Sequence, residues 1–376
     1  MSIRFLHTAD WQIGSQFGAI SGDAGALLRA ERLKAVERIA ELATERQADF
    51  VLVAGDVFDS NQVSDETLRR TINAMAGFGG PWVLLPGNHD SAEAHSAWTR
   101  LRRLGIVPEN VIIADEPKAI ALCDGRVQIL PAPLQRRHES RDLTEWFDRH
   151  ETEEGVFRIG LAHGSVEGIL PEQTEAHNSI HQRRDETARL DYLALGDWHG
   201  TFQVTPRIWY AGTPEPDRFK ENDPGHVLYI ELSEAGAEPR VERVETGRFR
   251  WRKRVFMADG AESARLLDQE IGQAAGEAPE RLVLELSLRG QTDIAERRAI
   301  DDCVETWRAR LHHLRLDDTD LGVQPSEDDI ARMQATGFVR AALDDLLAVQ
   351  ADPAHPDHDV TGEALRILYR EYEELT

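Results

Sequence analysis

Short apolar runs alternate with stretches of helical period over the first two thirds of the chain, and that alternation predicts an α/β fold. Strands are expected at Ile3–Thr8, Phe50–Ala54, Trp82–Leu85, Val127–Leu130, Phe157–Ala162, Tyr192–Leu195, Ile208–Tyr210 and Val227–Leu232. The segment Ala26–Arg46 places Leu33, Val36, Ile39, Ala40 and Ala43 on one stripe, as an amphipathic helix requires. Ser64–Phe78 and Ala92–Leu104 show the same period. From about Trp251 the rhythm changes. A strand (Trp251–Met257), a helix (Ala261–Ala274), a strand (Arg281–Leu288), a helix (Asp293–Leu311) and a strand near Leu314–Leu316 form a βαβαβ unit. Pro325 breaks that pattern, and Ser326-Glu327-Asp328-Asp329 has the form of an N-cap with acids in the first turn. An amphipathic helix carrying Ile330, Met333, Phe338, Leu343, Leu346 and Leu347 is expected to follow, then a Pro- and Asp-rich loop, Ala351–Asp359, and a last helix, Thr361–Leu375. The expected domains are residues 1–247, 248–324 and 325–376.

Composition narrows the class. A chain of 376 residues with 41% hydrophobic positions buries a sizeable core without disulfides or a structural metal. Cys123 and Cys303 lie far apart and match no zinc or redox spacing, which points to a reducing, cytoplasmic compartment. There is no run of 18 apolar residues, so no membrane span is expected. The start, Met1 to Asp10, turns polar too soon for a signal peptide. The net charge of −24 argues against a general basic face for nucleic acid. The excess is uneven, however: residues 258–376 hold 27 acids against 12 bases. A carboxylate-rich metal site would also inflate the formal count.

Chemistry concentrates where strands stop. Five apolar runs end directly in ligand-type residues: Asp10-Trp11-Gln12, Gly55-Asp56-Val57-Phe58-Asp59, Gly87-Asn88-His89-Asp90, His163-Gly164 and Gly196-Asp197-Trp198-His199. In open α/β sheets the carboxyl ends of strands form the ligand crevice, so the five converge on one place. Oxygen and imidazole donors without thiolates suit manganese, magnesium or iron. A carboxylate shared by two such ions suits in-line displacement at phosphorus.

The order of these motifs resembles the calcineurin-like metallophosphoesterases. His7-Thr8-Ala9-Asp10-Trp11 and Gly212-Thr213-Pro214-Glu215-Pro216 look like the SbcD/YhaO branch of DNA repair nucleases. The resemblance implies an αββα sandwich core, a small α/β capping domain that binds DNA, and a C-terminal helical segment that docks on an ATPase. It also implies two divalent cations, manganese first. Asp10 and His199 would hold one, Asp56 would bridge, and Asn88, His163 and Asp197 would hold the other. His89 would serve the phosphate or leaving oxygen, Asp90 would orient His89, and Asp59 would support the site from behind. Two positions depart from the family pattern: Gln12 and Asp197 both stand where a histidine is usual. Asp197 is a competent hard ligand, whereas Gln12 offers only a neutral carbonyl oxygen and should weaken the first cation.

Basic clusters are few. Arg248, Arg250, Arg252 and Arg254 alternate along an expected strand and would share one face, either tracking phosphates or protecting a sheet edge. Arg218 and Lys220 are further candidates for contacting a nucleic-acid backbone. The resulting expectation is a metal-dependent DNA nuclease acting in DNA repair, hydrolysing phosphodiesters with a metal-activated water as the nuclease subunit of an SbcCD-like complex. Expected partners are DNA, an SMC-like ATPase (SbcC/YhaN-like) and a second copy of the chain, in a cytoplasmic, nucleoid-associated setting. The alternatives are a non-catalytic DNA-end sensor with an impaired metal site and a phosphodiesterase for small substrates.

Overall fold

The computed structural model describes residues 2–169, 178–260, 262–323 and 336–375. The chain divides into two compact units, Met1–Phe249 and Arg250–Thr376. In the first, β1 (Ile3–Thr8), α1 (Gly22–Glu45), β2 (Phe50–Val53), α2 (Asp65–Ala74), β3 (Trp82–Leu84), α3 (Ala97–Leu104) and β4 (Val111–Ile113) alternate. Then come β5 (Ile120–Leu122), β6 (Val127–Ala132), β7 (Phe157–His163), the single-turn α4 (Arg184–Thr187) and β8 (Tyr192–Gly196). They are followed by β9 (Phe202–Gln203), β10 (Ile208–Tyr210), β11 (His226–Leu232) and β12 (Arg240–Glu245). Two six-stranded sheets result, in the orders β12-β11-β1-β2-β3-β4 and β5-β6-β7-β8-β10-β9. The strands that lead to the ligand-type residues run parallel within each sheet: β1, β2 and β3 in one, β7 and β8 in the other.

Period-2 alternation sorts the apolar residues into layers. Ile3, Phe5, Phe50, Leu52, Val83 and Leu85 of the first sheet meet Val127, Ile129, Ile159, Leu161 and Tyr192 of the second in one buried cluster. The alternate residues Leu6, Val51, Val53, Trp82 and Leu84 face outward and are covered by Val36, Ile39, Leu68, Ile72 and Trp98 from α1, α2 and α3. The second sheet's outer cover is thinner: Phe147, in a short 3-10 turn at Glu145–Arg149, together with Ala188 and Leu190. The layering is helix, sheet, sheet, helix.

Helix boundaries differ from the sequence expectation for local reasons. α3 starts at Ala97 and not Ala92, because Ser96 caps it through the Thr99 amide (3.3 Å) while the Asn61 side chain takes the Ala97 amide (2.9 Å). The residues before it are spent on the loop that carries Asn88 and His89. β12 escaped the hydrophobic pattern because Arg-Val-Glu-Arg-Val-Glu is a charged edge strand, with no residue fully buried.

The second unit contains β13 (Arg250–Asp259), α5 (Ser263–Ala275), β14 (Leu282–Thr292), α6 (Ile294–Arg308) and β15 (His313–Val323). Its three strands are parallel, in the order β13-β14-β15. Phe256, Leu284, Leu286 and Leu314 from the sheet pack with Leu267, Ile271, Ile300, Val304 and Trp307 from the helices. β15 runs to Val323, well past the expected Leu316, because Asp317 and, beyond a bulge, Asp320–Val323 continue the ladder with Ser287–Thr292 of β14, a pairing the polar sequence does not advertise. α7 (Gly337–Gln350) and α8 (His358–Leu375) pack on each other, and Leu343 and Leu365 are buried with Ile294 and Val323 of the same unit. α8 begins at His358, so the expected Ala351–Asp359 loop is shorter. Ser326, Ile330 and Met333 lie outside the described residues. No helix among the described residues is long and apolar enough to cross a membrane.

The expected arginine stripe resolves differently. Arg248 precedes the strand and reaches Glu31 (3.4 Å). The Arg250 guanidinium donates to the Ala275 and Ala278 carbonyls (2.6 and 3.0 Å) at the end of α5. Arg252 and Arg254 each donate to the carbonyl of the residue before them, Trp251 (3.1 Å) and Lys253 (2.7 Å), along the edge strand β13. These guanidinium groups are thus engaged with backbone carbonyls of their own unit.

Candidate metal centre

Three of the five strand ends, those of β1, β2 and β8, turn sharply into their candidate residues. Asp10, Gln12, Asp56 and Asp197 have φ of 53°, 50°, 53° and 99°, left-handed values that non-glycine residues adopt at a cost of about 1–3 kcal/mol each. The first two loops lock together: Asp10 donates its amide to Gly55 O (3.1 Å), and Gln12 donates to Asp56 O (2.9 Å). Gly55 is required here, since at φ +91° a Cβ would lie 2.2 Å from His163 Nδ1.

Asp10, Asp56 and His163 are buried and bring one ligand atom each within 4.8 Å of one another. His163 Nδ1 lies 2.8 Å from Ala54 O, which can only accept, so Nδ1 carries the hydrogen. Its Nε2 then faces Asn88 Oδ1 (3.1 Å), Asp56 Oδ1 (3.5 Å) and Asp197 Oδ1 (3.8 Å). Asp197 also accepts from Ser165 Oγ (3.0 Å), and its amide donates to Asp10 Oδ1 (3.1 Å). Burial pushes the Asp10 carboxyl up to about 6. Burial would lower His163, but Asp56, Asp10 and Asp197 outweigh it and raise the imidazole to about 9. Crowded, buried carboxylates around one oriented imidazole are a donor set that fits hard divalent cations.

His199 is held from the opposite side. Its Nδ1 lies 3.0 Å from Asp217 Oδ2. Asp217 also accepts a two-pronged contact from Arg218, Nε to Oδ1 and Nη2 to Oδ2, both 2.9 Å. Behind it lies the buried Arg32 of α1, with Nη2 3.6 Å from Asp217 Oδ2, Nε on Gln12 O (3.2 Å) and Nη1 on Glu215 O (2.9 Å). Burial would raise the Asp217 carboxyl, yet His199, Arg218 and Arg32 hold it well below the usual carboxylate range. Neither Asp217 nor Arg32 was singled out from the sequence. A signal for Arg32 existed: it falls on the buried face of α1, in line with Leu28, Ala35, Val36 and Ile39. A lone cation on an apolar stripe marks a buried partner.

Three sequence expectations need adjusting to this geometry. Asp90 does not orient His89: its carboxylate accepts the amides of Phe58 (3.0 Å) and Gly87 (2.7 Å), and burial raises it to about 8. The His89 ring is fixed by Asp59, through the backbone carbonyl and not the carboxylate (Nδ1 to O, 2.9 Å). Gln12 turns its amide nitrogen to Asp56 Oδ2 (2.7 Å), so it presents a donor where a ligand oxygen was expected. Arg218 does reach the centre, with Nη2 3.5 Å from His199 Nε2. Lys220 stacks over the Trp198 ring, Nζ 4.0 Å from its centroid. Arg250 and Arg252 lie in the second unit, engaged as described above.

Residues 3–230 match the family described as calcineurin-like phosphoesterase. Among curated proteins, the DNA double-strand break repair protein Mre11 of Aeropyrum pernix is 26% identical over 285 residues, which is 68% of this chain and 64% of that protein. The SbcD component of the nuclease SbcCD of Escherichia coli K12 is 36% identical over 272 residues, 61% of this chain and 64% of that one. The match thus spans just under two thirds of either relative's length. Among solved structures, TT1561 of Thermus thermophilus aligns with a TM-score of 0.41 at 13% identity, covering 65% of this chain and 100% of that one.

Proposed function

The chain belongs to the calcineurin-like phosphoesterase family, and from that premise we propose that it is a metal-dependent DNA nuclease of the SbcD/Mre11-like kind. The observation that carries the reading is the convergence of Asp10, Asp56 and His163 within 4.8 Å. Asn88 and Asp197 face the same imidazole nitrogen. Asp10 and His199 would hold one divalent cation, Asn88, His163 and Asp197 the other, with Asp56 shared. When bound, the cations would supply Lewis-acid activation of water and neutralise charge on the phosphate. His89 has its Nδ1 hydrogen spent on Asp59 O, which leaves Nε2 to exchange a proton with the leaving oxygen. Its backbone amide also holds Asp56 Oδ1 (2.9 Å), so carboxylate and proton carrier are fixed by one residue.

The second unit would cap the DNA, and an SMC-like ATPase and a second copy of the chain would be the protein partners. Manganese is the cation of choice for this donor set, with magnesium or iron as alternatives. The test is cleavage of single- and double-stranded DNA with Mn²⁺ against Mg²⁺, alongside a small chromogenic phosphodiester. Cleavage of the small substrate alone would move the reading to a small-molecule phosphodiesterase.

A second reading is favoured by Gln12, whose amide donates to the carboxylate meant to bridge. A non-catalytic DNA-end sensor would bind fewer than two cations per chain and cleave no DNA. Two cations together with activity on linear DNA would exclude it.

A further inference from the structure

On the reading that these strand ends hold divalent cations, we infer that Asp217 is the positioning residue of the centre: it locks His199 as a metal ligand and, with the same carboxylate, presents Arg218 to the substrate's phosphate oxygens. A carboxylate only accepts. Its 3.0 Å contact therefore places the hydrogen of a neutral His199 ring on Nδ1 and leaves the Nε2 lone pair for a cation. Arg218 grips the same carboxylate through Nε and Nη2, and its Nη2 also lies 3.5 Å from His199 Nε2. A phosphate oxygen bound beside His199 is thus within reach of the guanidinium hydrogens that Asp217 does not use.

An aspartate that merely shaped the turn after Gly212 would bond to backbone amides. Every partner of the Asp217 carboxylate among the described residues is a side chain: His199, Arg218 and Arg32. Arg32 stiffens the arrangement, because its other nitrogens are tied to the backbone of Gln12, two residues beyond Asp10, and of Glu215. Ligand, phosphate contact and anchor form one network around a single carboxylate, which is how outer groups set the orientation and affinity of a metal ligand.

The experiment is calorimetric titration of the full chain with MnCl₂, paired with steady-state hydrolysis of bis(4-nitrophenyl) phosphate. In Asp217→Asn one Mn²⁺ site should weaken by about 10–100-fold and the other should hold, with Asp217→Glu recovering part of the loss. Arg218→Gln should leave both Mn²⁺ affinities in place and raise KM about tenfold or more. Intact Mn²⁺ binding in Asp217→Asn overturns the inference. So does an equal loss of Mn²⁺ in Arg218→Gln, which would trace the effect to the packing of the 212–220 segment. A wild-type chain that binds two Mn²⁺ but hydrolyses no phosphodiester refutes the nuclease reading instead, and the affinities alone then decide the role of Asp217.

Discussion

Arg32→Met tests whether a buried cation is what holds the centre together. The guanidinium makes charge-assisted hydrogen bonds to Gln12 O (3.2 Å) and Glu215 O (2.9 Å), and at about 1.5–3 kcal/mol each these set a ceiling near 6 kcal/mol. Two effects reduce it. Neither carbonyl is orphaned, since Ser15 N (3.2 Å) still donates to the first and Thr213 Oγ1 (2.9 Å) to the second. Methionine also relieves the desolvation of a buried charge, which is worth several kcal/mol. Burial already lowers the pKa of this arginine, with Asp217 and Glu215 opposing the shift. The net expectation is a loss of about 2–3 kcal/mol, because Asp217 keeps its charge while losing a compensating one. At about 2–4 °C per kcal/mol for a unit of this size, the first unit's Tm should fall by roughly 4–12 °C. Differential scanning calorimetry should show that shift in one transition, with the transition of the second unit unmoved. A Tm that stays put or rises would refute the reasoning, and would mean that Arg32 costs as much to bury as it returns.

Three further outcomes are expected. His89→Ala should abolish phosphodiester hydrolysis while Mn²⁺ titration still finds both sites; a lost site would show the imidazole to be a ligand. Gln12→His removes the 2.7 Å amide contact on Asp56 and adds a nitrogen donor, so the Mn²⁺ concentration for half-maximal activity should fall several-fold; an unchanged value would mean that residue 12 does not reach the cation. Burial pushes the Glu215 carboxyl from 4.5 to about 7, so the folded chain holds a proton that the unfolded chain releases. That contribution, on the order of 3 kcal/mol, is complete below pH 4.5 and is lost as pH rises through 7. Urea unfolding at intervals across this window should show stability falling with pH in the wild type and a flatter profile in Glu215→Gln; parallel profiles would exclude Glu215 as the source.

The candidate positions that the structure brings together were legible because each follows an apolar run that stops abruptly, and strand ends in α/β sheets face a common edge. The groups that hydrogen-bond to the candidate imidazoles were not. The acceptor that fixes His89 is the carbonyl of Asp59, a backbone atom that no side-chain motif records. Asp90 sits beside His89 in sequence, yet two amides from Phe58 and Gly87 claim its carboxylate, and only the tertiary turn shows this. Asp217 lies 18 residues beyond His199, and the pair forms only because β10 and the Gly212 turn bring the chain back. In the second unit the βαβαβ rhythm was readable from period alone. The fate of Arg250, Arg252 and Arg254 was not, because alternation assigns a face and says nothing about which acceptors an arginine finds there.

The contacts of Glu215 have a mechanical consequence. Its two carboxylate oxygens accept the amides of Phe249 (2.9 Å) and Arg248 (2.8 Å), the last residues of the first unit, and Arg38 adds a third contact at 3.0 Å. Two residues further along the same strap, Asp217 grips His199. Glu215, which holds the point where the chain leaves the first unit, and Asp217, proposed above to aim His199, are thus at most about 7 Å of backbone apart. Tension on the polypeptide at Phe249 has to strip two hydrogen bonds from Glu215 before it moves the chain's exit, and the first neighbour to feel that displacement is the strap under His199. On the role proposed for Asp217, the fold would carry its tether and its aiming device on one lever.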